Sequence, residues 1–324
     1  MLEDKKIKIL YVDPVVGTET AKKYPYYIGL LNGLILKENV DLKIFRGLPL
    51  DLDKLIFDSN FKPDFVFFGL GWFGHYKYFE EIKNDSNIPL IVTIFKPQND
   101  LKNKISFCKR NKVKAILTPA PILEETKKET GIKTFLFEYG SYSEVFSKFH
   151  NEDKKYDIGF TGAMHESKLY PEGNFKNKNI RFKIKEKIEK LEAKCLWKGT
   201  DSFNDSRVHD YFDYAKTINS SKIWLATLAS HGDVTPRYYE VMASKTLLFC
   251  EEPYDCYKDI LKDNQNCVFF KSDMSDFDSK IDFYLNNEKE RERIIKQANK
   301  DAFEINDWSV KADKLIKILE SLND

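Results

Sequence analysis

The sequence predicts an α/β protein made of two tandem Rossmann-like parallel-sheet lobes. Three observations predict it. Short apolar runs of strand length alternate with helical periods through the chain. The alternation pauses at the polar, charged stretch SKFHNEDKKY (147–156) and then restarts. At 324 residues the chain suits two domains of ordinary size. Ligands of open parallel sheets bind beyond the carboxyl ends of the strands, so two such lobes are expected to face one another across a cleft.

Taken in order, KIKILYVD (6–13) reads as a strand and YPYYIGLLNGLILKEN (24–39) as a helix with apolar residues at 27, 28, 31, 34 and 35. DLKIFR (41–46) is a strand, 51–58 a short helix, and PDFVFFGLG (63–71) a continuous apolar strand ending in glycine. Residues 75–84 look helical, and PLIVTIF (89–95) is a strand. Helices at 101–111 and 121–130, the second closed by Gly131, flank the strand KAILTPA (114–120), and KTFLFEYG (133–140) is the sixth strand. The second half offers strands at 156–163, 195–200, 222–229, 246–252 and 266–272. Helices are expected at 181–194, 209–221, 236–244, 273–300 and 308–322. Strands alternating with helices mean βαβ units and sheets covered on both faces.

Composition narrows the function. Charge is balanced, 52 basic residues against 51 acidic, so no global field draws the chain to nucleic acid. The five cysteines are scattered and form no C-x-x-C pair, which argues against zinc and a disulfide framework and suits a reducing cytoplasm. The opening MLEDKKIKILYVDP has no signal-peptide h-region, and no apolar run approaches the roughly 18 residues that span a bilayer. Peripheral membrane contact needs only a surface patch and stays open. No G-x-G-x-x-G follows a strand, which argues against a dinucleotide dehydrogenase.

The stretch KIWLATLASHGDVTPRYYEVMASKTLLFCEE (222–252) concentrates the chemistry. Thr235 sits where a hydroxyl N-cap belongs, and Pro236 at the first helical position. Unpaired first-turn N–H groups and the helix dipole face back into the loop, a setting for an anion. Arg237 adds a forked, permanent charge suited to phosphate. Glu240, three residues on, shares its face and could accept hydrogen bonds from ribose hydroxyls. The competing reading is an ordinary helix ion pair worth a few tenths of a kcal/mol.

Thr235, Arg237 and Glu240 form a T-x-R-x-x-E segment that runs into MASKTLLFCEE. This resembles the C-terminal half of glycosyltransferases of the GT-B fold and of group 1, particularly the spore-maturation-type group. YDIGFTGA resembles the strand and glycine turn that open the nucleotide lobe there, CLWKGT its second strand, and FLFEYGSYSEVF the interlobe segment. DWSVKADKLIKILESL resembles the last helix, which in that fold crosses back to the first lobe. The resemblance covers about residues 130–324. In the retaining branch two glutamates stand eight residues apart; here Gly232 stands eight before Glu240, with Asp233 beside it.

The resemblance implies an acceptor domain over 1–150, a nucleotide-sugar domain over 151–305, and a helix over 306–324 packed on the first domain. It implies transfer of a sugar from a nucleotide-sugar donor, UDP-linked by default, to a saccharide or glycoconjugate, retaining and metal-independent, with no cofactor. Donor contacts then fall to Thr161, Gly162, Lys198, His231, Gly232, Thr235, Arg237 and Glu240. Asp233 either touches sugar hydroxyls or caps the helix, and Arg237 stabilises the leaving phosphate. His75, directly after a strand, is the candidate base or acceptor-orienting group. Tyr26 and Lys96 are acceptor candidates, as is Asp100, which equally suits a cap for the helix at 101. The basic helix 181–194 reads as a solvated face. A non-hydrolysing nucleotide-sugar epimerase and a non-catalytic two-lobed binder are the alternatives.

Overall fold

The computed structural model describes residues 6–47, 51–69, 82–97, 100–164, 176–200, 210–229 and 232–322. The chain divides into two compact units, Met1–Glu138 with Trp308–Asp324, and Tyr139–Asp307. The charged stretch 147–156 therefore lies inside the second unit and not at a boundary. Its charges are used locally. Lys154 Nζ donates to the carbonyls of Asn219 and Ser221 at 2.9 Å each, and the amides of Lys155 and Tyr156 both reach Ser220 O.

The first unit holds a parallel sheet of β1 (Ile7–Val12), β2 (Val40–Phe45), β3 (Phe65–Phe68), β4 (Leu90–Thr93), β5 (Ala115–Thr118) and β6 (Lys133–Leu136), in the order β2-β1-β3-β4-β5-β6. β1, β3, β4 and β5 are almost wholly buried, which is why they read as unbroken apolar runs. Chain direction across the sheet reverses between β1 and β3, the switch point where such sheets bind ligands. The helices are α1 (Glu19–Lys23), α2 (Gly29–Ile35), α3 (Leu52–Asp58), α4 (Leu101–Arg110) and α5 (Leu123–Thr130). Asp51 caps α3 through the Lys54 amide at 2.9 Å, and Gly131 closes α5 at φ 71°.

The helix expected over 24–39 is instead a 3₁₀ turn, Pro25–Tyr27, followed by the short α2. The cause is tertiary. Trp308 presses on α2, where a Cβ at Gly29 would lie 2.1 Å from the indole and one at Gly33 2.3 Å from the Trp308 carbonyl. Both positions need glycine for this approach, and glycine weakens the helix that carries it. Nearby, Lys311 and Lys314 hold the buried Glu138 carboxylate at 3.2 and 2.7 Å.

In the second unit the helices are α6 (Ser143–Ser147), α7 (Lys176–Ile188), α8 (Tyr211–Asn219), α9 (Pro236–Met242), α10 (Phe277–Asn286) and α11 (Glu288–Glu304), the last two forming the helical region expected over 273–300. The last helix, α12 (Trp308–Glu320), belongs to the first unit. The second sheet is also parallel: β7 (Tyr156–Ala163), β8 (Cys195–Thr200), β9 (Ser221–Ala226), β10 (Leu247–Glu251) and β11 (Val268–Phe270), ordered β11-β10-β9-β7-β8. Its switch point lies between β7 and β9. Phe160 of β7 and Trp197 of β8 stack at 4.1 Å on the face that also buries Ile180, Ile184 and Ile188 of α7.

Candidate functional site

At the switch point of the second unit β7 ends in Thr161, Gly162 and Ala163, paired in register with Lys198, Gly199 and Thr200 of β8. The loop after β9 leads into α9, which brings Arg237 and Glu240 to this end of the sheet. Glu240 is 5% exposed, and its Oε1 accepts the Tyr211 hydroxyl at 3.0 Å. Tyr214, one helical turn along α8, lies near the Glu240 carboxyl. The same phenol meets the Arg237 side chain and Thr161. Burial raises the Glu240 pKa to about 7, against the pull of Arg237, of the Tyr211 hydrogen bond and of the nearby Tyr214 hydroxyl. Burial likewise raises both tyrosine hydroxyls, and the adjacent Glu240 adds to it.

Among the described residues no ion pair joins Arg237 to Glu240. Arg237 Nε is buried with no hydrogen-bond partner, and so is Thr235 Oγ1. Thr235 occupies the N-cap position at φ −82° and ψ 163°, but its hydroxyl does not cap the helix. The Tyr238 amide donates to the Thr235 carbonyl at 3.1 Å, and Pro236 has no N–H. With only seven residues in α9, the helix tip contributes little, and the positive charge at this end of the sheet is the guanidinium itself.

A second guanidinium lies on the other face of β7. Arg181 Nε donates to Thr227 Oγ1 at 2.9 Å, and a Cβ on Gly162 would sit 3.6 Å from its Nη1. The basic helix expected as a solvated face thus sends its one arginine to the strand ends. Glu251, at the end of β10, accepts the Leu228 amide at 3.1 Å and the Ser272 hydroxyl at 3.0 Å. Burial raises its pKa, opposed by those bonds and by Arg181. Gly232 has φ 80°, and a Cβ there would lie 2.2 Å from the ring of Tyr254, which is 54% exposed. Asp233 is 5% exposed, and its carbonyl accepts the Ala229 amide at 2.9 Å.

In the first unit, Lys96 follows β4 with φ 50°, and its Nζ lies 3.2 Å from Tyr27 Oη. The wholly buried Lys104 donates to the carbonyls of Phe95 and Lys96 at 2.8 and 2.7 Å, which holds this bend. Tyr26 packs against Tyr27 with centroids 4.6 Å apart and the rings tilted by 30°. Asp100 is the α4 cap, accepting from the backbone and side-chain nitrogens of Asn103. His75 and His231 lie outside the described residues. Among the described residues no group of three His, Cys, Asp or Glu is placed to hold a metal ion.

Solved structures share this architecture. HepE from Anabaena, in complex with UDP-glucose, superposes with a TM-score of 0.54 over 97% of this chain and 100% of its own, at 11% identity. A glycosyltransferase from Rickettsia africae gives 0.56 over 98% and 99%, at 14% identity. Sucrose-phosphate synthase from Thermosynechococcus elongatus gives 0.57 over 98% and 99%, at 8% identity. At these identities the likeness speaks to the fold, which is GT-B. No curated protein matches the chain. Residues 180–317 match the family described as glycosyl transferase-like. Over that stretch the chain carries a glycosyl transferase-like domain.

The family match runs from α7 into α12, so it includes Arg181, Lys198, Tyr211, Tyr214, Arg237, Glu240 and Glu251. Arg181, Tyr211, Tyr214 and Glu251 are the residues that sequence reasoning missed. The i, i+3 spacing of the two tyrosines, which puts them on one face of α8, was the available signal.

Proposed function

We propose that this glycosyltransferase takes a nucleotide sugar at the carboxyl end of its second sheet and passes the sugar to a hydroxyl of a saccharide or glycoconjugate. UDP is the carrier, no metal ion takes part, and the anomeric configuration is retained. One observation carries the reading. A buried carboxyl and an arginine stand three residues apart without pairing to each other, and the arginine Nε and the Thr235 hydroxyl beside them are buried and unpartnered. Such orphaned groups are costly in a protein interior and call for a ligand.

The roles follow from the chemistry. Glu240 accepts hydrogen bonds from the ribose hydroxyls. Arg237, with Arg181 and Lys198, meets the diphosphate, while Gly162 lets the backbone approach it. When the bond from the anomeric carbon to the phosphate oxygen breaks, the electron pair leaves with the nucleoside diphosphate. Guanidinium groups already in place stabilise that charge without reorganising. Asp233 and the turn at Gly232 contact the sugar. On the first unit, Lys96 and the tyrosines at 26 and 27 serve the acceptor, the rings by stacking on a sugar face. Retention and the spore-maturation-type subgroup rest on sequence resemblance.

Calorimetry with UDP, GDP and ADP, followed by release of nucleoside diphosphate from the matching glucose donors, tests the proposal. Binding of one nucleotide, with its release speeded by saccharide acceptors, is expected. Neither binding nor release with any of the three would refute it. The anomer of the product, read by proton NMR, decides between retention and inversion.

A further inference from the structure

We propose that Tyr211 and Tyr214 are positioning residues, which hold Glu240 apart from Arg237 and orient its carboxyl toward the ribose hydroxyls of the donor. The proposal rests on the nucleotide-sugar reading of this site. Arginine and glutamate three residues apart on a helix ordinarily turn toward each other. Here they do not, and the bonding pattern of α8 says why. A phenol has one proton and two lone pairs. Tyr211 spends its proton on Glu240 Oε1 at 3.0 Å. Tyr214 meets Glu240, Arg237 and Thr161 together. Its hydroxyl, placed near both side chains, shields the carboxyl from the guanidinium, and the Arg237 Nε is left without a partner among the described residues.

The tyrosines are themselves fixed. Tyr211 packs edge-on against Phe146 at 5.3 Å and Tyr142 at 6.0 Å. Tyr214 packs against Phe146 at 6.2 Å and Trp224 at 6.3 Å. A side chain with two rotatable bonds in such a clamp loses little more freedom when a ligand arrives. Among the described residues the ionisable groups facing Glu240 are Arg237 from its own helix and Tyr211 and Tyr214 from α8. Behind Tyr211 stands Tyr142. From α11, Asn299 gives its amide to the carbonyls of Met242 and Ser244, and on β10 Glu251 is engaged by Leu228 and Ser272.

Tyr211→Phe and Tyr214→Phe keep the rings and remove the hydroxyls. Two readouts on the full chain test them. The first needs no nucleotide: the Glu240 carboxyl is titrated by carbon NMR on glutamate-labelled protein, assigned with Glu240→Gln. Its midpoint should rise in each variant, because a hydrogen bond to the charged form is lost. The second is calorimetric affinity for UDP and 2′-deoxy-UDP. Each variant should weaken UDP roughly tenfold, the size expected for a hydrogen bond to a charged group. The preference of the parent for UDP over the deoxy compound should shrink toward none. Unchanged midpoints, or an unchanged UDP to deoxy-UDP ratio, would overturn the proposal. A parent chain that binds none of UDP, GDP and ADP refutes the nucleotide reading instead, and the titration still decides what the tyrosines do to Glu240.

Discussion

Replacing Glu240 by glutamine isolates what the buried carboxyl costs the fold. Its pKa stands at about 7 against an ordinary 4.5, and burial is the cause. Between those two values the folded chain keeps a proton that the unfolded chain has released. Stability therefore falls as pH rises through that window. Below it both states are protonated and the group adds no penalty. Above about 7 the whole penalty is present, on the order of 3 kcal/mol. The glutamine variant still accepts from Tyr211 but does not titrate. Urea unfolding of the two chains at pH 5 and pH 8 cancels every other titrating group in the difference. The variant should gain on the parent by about 2–3 kcal/mol between those pH values, with equal urea slopes. Saturating UDP at pH 8 should reverse the order, since only the parent offers a carboxylate to the ribose. An offset that stays constant from pH 5 to pH 8 would show that Glu240 ionises in the ordinary range, and the reasoning would fail.

Gly29→Ala drives a methyl into the Trp308 ring and should cost about 1–3 kcal/mol in thermal or urea unfolding, while nucleotide affinity of the second unit stays as it was. A fully stable variant would mean that α12 shifts freely on α2. Glu138→Gln leaves the Lys311 ammonium, 2% exposed, without its carboxylate and should destabilise by about 3–5 kcal/mol at neutral pH. Burial pushes the Glu138 pKa up, but Lys311, Lys314 and its hydrogen bonds outweigh that and hold it below the ordinary value. Its contribution is thus present above the ordinary carboxyl range and lost as pH falls through the folded pKa, so the gap between parent and variant should close in acid. Gly232→Ala meets both a positive φ and the Tyr254 ring; about 1 kcal/mol or more of stability should go, and UDP-glucose affinity with it. Tyr254→Ala alone should leave the turn intact, as a melting curve would show.

The strands were legible because both faces of each sheet are covered. A buried parallel strand has no polar side to show, so VFF, LIVT and LLFCE announce themselves as apolar runs. Helix boundaries were less legible where a partner far along the chain decides them. Nothing local to YPYYIGLLNGLI says that Trp308, almost three hundred residues on, will lean against Gly29 and split the predicted helix. The charged stretch 147–156 looked like a linker because lysine usually means solvent. Lys154 instead caps carbonyls at the end of α8, a use visible only once α8 and β9 are placed beside it.

The site shows the same division. Arg237 and Glu240 could be chosen from spacing and residue type alone, and Thr161 and Gly162 from the glycine that ends a strand. What spacing could not say is whether the arginine and glutamate pair with each other or are held apart for something else. That answer comes from another helix. The residues that reach the carboxyl from α8 are aromatic, and in a sequence an aromatic pair at i, i+3 reads as core. Arg181 is hidden in the opposite way, as the first cation in a lysine-rich run, and what distinguishes it is Thr227 across the strand ends. A site of this kind therefore appears in the sequence as its charges. What fixes the carboxyl in place lies in the uncharged residues packed against it.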